Sequence, residues 1–470
     1  MRILGPDGQP IQSGPPVSEE VRKLVEQAKA TAQQGDPATA LQQIAFAFQQ
    51  DVRSDLVLDT TCDLLTQIAQ ASGAQPGEEY QLFDHLRNNR DDALGYYRVG
   101  NRFFQLQQPF LALPFLARAK ELLGDTKNEL SQAADVDYAQ ALMDLGNYQG
   151  AIDAFHQLND KYGGLPIWLI LEMAECYALL RQPDEAEAVY QIAPPEAAAQ
   201  FPGMEEAREE VGDLIARLRD FDDMETLDLR AWHYVQTRSI LMETNPDENV
   251  PGERFVFFQP SEEDVAYIVG MTAALLDNKG YAPNRLLWLG EESEPLARLF
   301  AQWWEIAPEN IRGYQPDDNT DDEDELALLV MAHSYDVMNL PDEEAMIHLI
   351  NARAGLITFA LDVRWTERQP MTPDITGFLS QACNLPWEPR LQVSEDQQTV
   401  TRIEETRDAQ QIAEDIAAQF PDEEECDQFA KELLEFYEGC TDLILDHRDG
   451  SLNRKTLVTH SPIKSPRFGF

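Results

Sequence analysis

The stretch "YAQALMDLGNYQGAIDAFHQL" (residues 138–158) decides how the first half of this chain is read. Ala139 and Ala151 are small residues twelve places apart, and a large apolar residue, Phe155, follows four places later. Between them lies Gly146-Asn147-Tyr148, a turn signal. Two helices joined by a tight turn satisfy this pattern. The small side chains let antiparallel helices approach, and the apolar residue one turn further on fills the gap between them.

The same spacing recurs in residues 27–47 (Ala28, Ala40, Ile44), 99–119 (Gly100, Ala112, Leu116) and 173–193 (Ala174, Ala186, Tyr190). The matching turn signals are Gly35-Asp36-Pro37, Gln108-Pro109 and Gln182-Pro183-Asp184. Ala112 to Ala151 is an interval of 39 and Ala151 to Ala186 one of 35. Ala40 to Ala112 is 72, room for two units with a weaker copy around "YQLFDHLRNN" (80–89). A mid-thirties period with this spacing resembles the tetratricopeptide repeat over roughly residues 18–200. The chain departs from that family in lacking the tryptophan early in the first helix, and the unit near 55–90 is a poor match. The resemblance implies an all-α superhelix whose concave groove binds a peptide or a partner domain. Groove residues would come from the first helix of each repeat: Arg98, Asn101, Arg102, Asp137, Gln140 and Glu175.

After an amphipathic helix at 207–223 the period changes. "TRSILME" (237–243) and "RFVFF" (254–258) read as two strands of a hairpin across the turn-rich "TNPDENVPGE". Residues 261–278 read as a helix opened by a capping box, Ser261 with Asp264. Then strands at 285–289, 326–332 and 355–363 alternate with helices at 294–304 and 341–353. This order predicts an α/β domain with a mainly parallel sheet. Helices at 402–419 and 422–439 and short strands "DLILD" and "KTLVT" complete the reading. The predicted organisation is multidomain: a flexible start (1–17), a helical-repeat domain (18–223), an α/β domain (224–449) and a basic tail (450–470).

Charge narrows the function classes. Among 470 residues, 84 acidic side chains face 36 basic ones, a net charge of -48. Direct phosphate contact with nucleic acid is disfavoured, because it demands a basic surface. The acid coat reads as a solubility device, as an attraction for basic partners or as a mimic of nucleic acid. Its spread through the chain favours the first. Residues 317–325, "DDNTDDEDE", hold seven acids without the glycine and glutamate places of a calcium loop. The five cysteines form no CxxC pair, so no metal ribbon or disulfide framework is expected. The N-terminus lacks the pattern of a signal peptide and no apolar stretch is long enough to span a membrane, so a soluble, cytoplasmic protein without membrane contact is expected.

Ligands of parallel α/β sheets gather beyond the carboxyl ends of the strands. Those ends hold Ser293, then His333, Ser334 and Asp336, then Asp362 and Arg364, the candidates for a base, its orienter and a nucleophile if the chain is an enzyme. Asp362 and Arg364, two apart on a strand, have a plainer reading as a pair. Ser293 has one as the N-cap of the helix that follows. No GxSxG elbow, Walker loop or GxGxxG occurs, and no cofactor or metal is expected. The turn in "EESEPLARLF" resembles the first strand-to-helix unit of phosphoribosyltransferase-type domains. The adjacent acid pair and Thr-Gly cradle of that family are absent from "LALLVMAHSYDVMNLP", so the resemblance implies the fold without the metal-linked acids and the phosphate-binding turn. The expected function is therefore a scaffold that binds a protein or peptide, with a non-catalytic α/β module. The alternative is an enzyme acting on a small or phosphorylated, nucleotide-like substrate in the second half.

Overall fold

The computed structural model describes residues 17–106, 108–221, 228–242, 254–316, 326–352, 354–364, 371–393, 400–454 and 466–468. The chain divides into two compact units at Arg208/Glu209.

The first unit is a run of helix pairs: α1 (Glu19–Gln33) with α2 (Pro37–Gln50), α3 (Asp55–Ala71) with α4 (Glu78–Asn88), α5 (Ala93–Gln105) with α6 (Pro109–Leu123), α7 (Glu129–Asp144) with α8 (Tyr148–Tyr162), and α9 (Ile167–Leu179) with α10 (Pro183–Tyr190). Each helix packs on the next. Ala28, Ala40, Ala112, Ala139, Ala151, Ala174 and Ala186 are fully enclosed, as are Ile44, Leu116 and Phe155. Tyr190 is half-buried and carries the Arg208 guanidinium 4.1 Å over its ring. The turns work as their residues imply. Gly35 takes φ 95° and Gly146 φ 69°, and the next residues cap the second helix: Asp36 accepts from Thr39 N–H at 3.0 Å, Asn147 from Gly150 N–H at 3.2 Å. The weak second copy is a true helix pair, α3 and α4, tied to the core through Phe83 and Leu86. Asp135 is buried in α7 and neutralised by Lys161 of α8 at 2.8 Å and Lys120 of α6 at 3.4 Å.

Gly100 shows why the small place matters. A Cβ there would sit 2.7 Å from Leu116 Cγ and 3.1 Å from Leu116 N, on the helix α5 packs against. A Gly100→Val chain is therefore expected to lose about 1–3 kcal/mol by overpacking. Urea unfolding followed by helical circular dichroism reads it; an unchanged midpoint would mean the pair is not held this closely.

Short α11 (Pro195–Ala198) and α12 (Met204–Arg219) lead into the second unit. Its remaining elements are α13 (Leu229–Thr237), β1 (Ile240–Leu241), β2 (Arg254–Phe258), α14 (Glu262–Asn278), β3 (Arg285–Leu289), α15 (Glu294–Trp303), β4 (Ile311–Gly313), β5 (Ala327–His333), α16 (Glu343–Asn351), β6 (Leu356–Arg364), β7 (Ile375–Cys383), β8 (Arg390–Val393), β9 (Val400–Ile403), α17 (Ala409–Ala417), α18 (Glu423–Phe436) and β10 (Pro466–Phe468). The main sheet runs β10-β2-β7-β6-β5-β3-β4, with β1 on β7, and every pairing in it is parallel. Its central strands β5 and β6 are buried along nearly their whole length, as strands covered on both faces must be. The capping box of Ser261 and Asp264 opens α14.

Several expectations fail here. The strands at 237–243 and 254–258 do not form a hairpin. Thr237 ends α13, only Ile240 and Leu241 are extended, and β1 and β2 lie parallel to β7 at successive places along it. The turn residues 243–253 lie outside the described residues. The strand β7, which organises this edge, went unread because "ITGFLSQAC" mixes glycine, serine and glutamine into a buried run. Its Gly377 is required: a Cβ there would meet Leu361 O at 2.5 Å across the β6–β7 ladder. Residues 402–408 are not helical; they finish β9, in an antiparallel pair with β8, and lead to α17. "DLILD" forms a single tight turn at Ile444–Asp446, whereas "KTLVT" and "DDNTDDEDE" lie outside the described residues.

Candidate functional site

Counted from β3, the five-strand order β4-β3-β5-β6-β7 is 2-1-3-4-5, a doubly wound arrangement. The crevice of such a sheet opens between its first and third strands, here the carboxyl ends of β3 and β5. All six enzyme candidates lie at or next to the carboxyl ends of β3, β5 and β6.

Ser293 and Asp336 close the crevice. The Ser293 hydroxyl lies 2.6 Å from the Leu289 carbonyl and 3.2 Å from Asp336 Oδ2, and accepts from Ala332 N–H at 2.7 Å. Asp336 also accepts from His333 N–H at 3.2 Å. Gly290, at φ 87°, lets the turn press onto this carboxylate; a Cβ there would stand 2.8 Å from Asp336 Cγ. Ser293 thus stands before α15 but makes no capping bond; its hydroxyl buckles two strand ends together. The hydroxyl is consumed there because a wholly enclosed polar atom must find partners, and these strand ends supply them. Burial raises the Asp336 carboxyl above its usual range, against the backbone hydrogen bond from His333.

His333 sits one strand across. Its Nδ1 lies 3.3 Å from Asp362 Oδ2 and its Nε2 3.3 Å from Glu388 Oε1. Ser380 donates to the other Asp362 oxygen at 2.6 Å, and Leu385 N–H donates to the other Glu388 oxygen. The Tyr335 ring stacks on the imidazole at 4.8 Å, and the Arg364 guanidinium stands 4.1 Å over Tyr335. Asp362 therefore bonds to His333 and Ser380, while Arg364 turns to the tyrosine face. Burial alone would lower the His333 pKa, but hydrogen bonds to the two carboxylates and their charges outweigh it and hold it up at about 9. At neutral pH the imidazole is a cation with both N–H groups engaged, and it offers no lone pair to a substrate proton. Burial also keeps the nearby Cys383 thiol well above its usual range, so it is not a ready nucleophile. Ser334 is buried beside His333. The Trp387 indole N–H donates to Glu292 O at 2.9 Å and ties the β7–β8 loop over the β3 turn. Ser380, Glu388 and Tyr335 are the members that sequence reasoning missed. Tyr335 was legible beside His333; the other two depended on recognising β7. Among the described residues, no group of His, Cys, Asp and Glu is arranged to hold a metal.

The groove candidates fall into a different pattern. Asn101 of α5 donates to Asp137 of α7 at 2.8 Å, and Gln140 of α7 donates to Glu172 of α9 at 2.9 Å. Arg102 pairs with Glu79 at 2.9 Å. Three of the six thus tie successive first helices, or α5 to α4, with Asp137 as an acceptor. Arg98 is exposed, and Glu175 lies near the Glu172 charge. Glu172, missed from sequence, has its Oε2 enclosed without a hydrogen-bond partner. Burial first, then the charges of Glu175 and Asp144, raise its pKa to about 8 against the Gln140 bond. Asp137 is raised in the same direction by burial.

No family model matches this sequence, and no curated protein does. Solved structures do resemble its helical part. YrrB, described as a tetratricopeptide repeat protein with an unusual peptide-binding site, is 18% identical over 40% of this chain and 90% of its own, at TM-score 0.25. MamA is 18% identical over 39% and 96%, at TM-score 0.23, and Pseudomonas aeruginosa PilF 16% over 44% and 87%, at TM-score 0.25. Scores this low carry no functional argument. The assignment of the first unit to the class of tetratricopeptide-like arrays rests on its helix pairs and enclosed small residues. The likeness gives no support to the phosphoribosyltransferase resemblance of the second half. Among the described residues no helix is long and apolar enough to cross a membrane.

Proposed function

We propose that this chain is a partner-binding protein whose repeat array takes a basic, extended segment of another protein, and whose α/β unit is a non-catalytic module. The observation that carries this reading is the acid line on the first helices, Asp137 and Glu172, both held above their ordinary pKa by burial. A lysine or arginine brought to these carboxylates would favour their ionised form by its opposite charge and so offset the burial that now disfavours it. The net charge of -48 would draw such a segment in and make its association rate salt-dependent. The consumed polar groups at the strand ends of the second unit support the non-catalytic half of the reading.

The test is fluorescence anisotropy of the full chain with labelled Lys/Arg-rich and Asp/Glu-rich peptides of equal length. The basic set is expected to bind, with affinity falling as salt rises, and an Asp137→Asn, Glu172→Gln chain is expected to bind it at least tenfold more weakly. Equal binding of acidic peptides, or a double variant that binds as well as the unaltered chain, would overturn the reading.

A further inference from the structure

Among the described residues, one edge strand of the main sheet is β10, Pro466–Phe468. Pro466–Phe468 lie parallel to β2, with Pro466 opposite Arg254 and Arg467 opposite Phe255; the register then shifts so that Phe468 meets Phe257. β2 is held on its other side by β7. Without β10, the outer N–H and C=O row of β2 would be an open sheet edge, which is a template for any extended chain. β10 covers it weakly. It is three residues long, a register shift interrupts the ladder, and a proline in it has no N–H to give. The floor under this edge is aromatic: Phe255 stacks on Phe258 with ring centres 4.1 Å apart, and Phe258 packs on Phe378 of β7. Phe257 remains 36% exposed. The covering segment is matched to the protein by charge. Beyond the buried Arg454, "KTLVTHSPIKSPRFGF" (455–470) carries three basic residues and no acid, in a chain of net charge -48.

We propose that the outer edge of β2 is a strand-docking site and that the chain's basic C-terminal segment is its resident, displaceable occupant. Main-chain hydrogen bonds would give such an edge its affinity, and the side chains of the added strand its selectivity. Tethering makes the cis contact effectively intramolecular, so three short residues suffice to hold the edge closed against free competitors. The ligand class is an extended basic peptide running parallel to β2, and the chain's own end is the reference member. This surface belongs to the second unit and is independent of the acid line on the repeat helices.

The test compares the full chain with a chain ending at Arg454, which keeps the buried anchor described below. The probe is a labelled peptide of residues 455–470, read by fluorescence anisotropy. The shortened chain is expected to bind it at least tenfold more tightly than the full chain does. A scrambled peptide of the same composition is expected to lose most of that binding, because charge survives scrambling and strand register does not. A full-length Arg467→Pro, Phe468→Pro chain, which breaks the strand without shortening the protein, is expected to bind the probe as the shortened chain does. Equal binding by full and shortened chains, equal binding of the scrambled peptide, or no binding by either opened form would overturn the proposal.

Discussion

An Arg454→Ala chain is expected to unfold with a loss of about 3–5 kcal/mol, the penalty of leaving a buried charge uncompensated. Arg454 is wholly enclosed although it begins the basic tail. Its Nε and Nη2 donate to Asp374 Oδ2 at 3.0 and 2.7 Å. Nη2 also donates to Leu356 O at 2.6 Å, and Nη1 to Leu349 O at 3.1 Å and to Ala352 O. Its backbone is bonded as well, N–H to Ile350 O at 3.0 Å and C=O from Thr372 N–H at 2.7 Å. Asp374 in turn accepts from the N–H and hydroxyl of Thr358 at 2.7 and 3.0 Å. Truncation to alanine removes one charge and strands the other inside the α/β unit. An Arg454→Met, Asp374→Leu chain should recover part of the loss, since an apolar pair of similar volume avoids burying a lone ion. Urea unfolding of the three chains measures this. A single variant within about 1 kcal/mol of the unaltered chain would show that the guanidinium is not held as described.

The stability of the α/β unit is expected to fall as pH rises from about 6.5 to 9, by roughly 3 kcal/mol from His333 alone. The direction follows from its folded pKa of about 9, above an unfolded value near 6.5. A group whose pKa is raised on folding contributes its full stabilisation below the unfolded pKa and loses it as pH climbs through the folded one. The groups that face the ring are Asp362 and Glu388 at its nitrogens and Tyr335 on its face, with Asp336 bonded to its backbone N–H. In an Asp362→Asn chain the imidazolium loses one of its two carboxylates, so the decline should shrink and shift to lower pH. Unfolding free energies at pH 6, 7, 8 and 9 for both chains isolate the effect, because the other titrating groups are common to them. Parallel curves would remove His333 from the account.

The two halves were unequally legible. Helix pairs announce themselves locally: Ala139, Ala151 and Phe155 recur with their counterparts at a fixed spacing, and each contact lies within a few dozen residues. Even the poor unit near 55–90 is placed by the interval between its neighbours. Strands β3, β5 and β6 were also readable, as short apolar runs between turn signals. Strand β7 was not, since its glycine exists only for the backbone of Leu361 beside it and its serine only for Asp362. The failed hairpin has the same cause. Nothing in "TRSILME" or "RFVFF" says that both will pair with a strand more than a hundred residues later.

The residue pattern determined the repeat array, the parallel character of the main sheet and the strand ends where polar side chains would gather. Only the tertiary structure decided what those side chains do. It turns Ser293 to Asp336 rather than to a helix cap, locks His333 between two carboxylates and sinks Arg454 of a basic tail onto Asp374. The physical reason is reach. Periodicity records contacts between neighbours in the chain, whereas the partners that satisfy a buried charge are chosen by which strand ends the topology brings together.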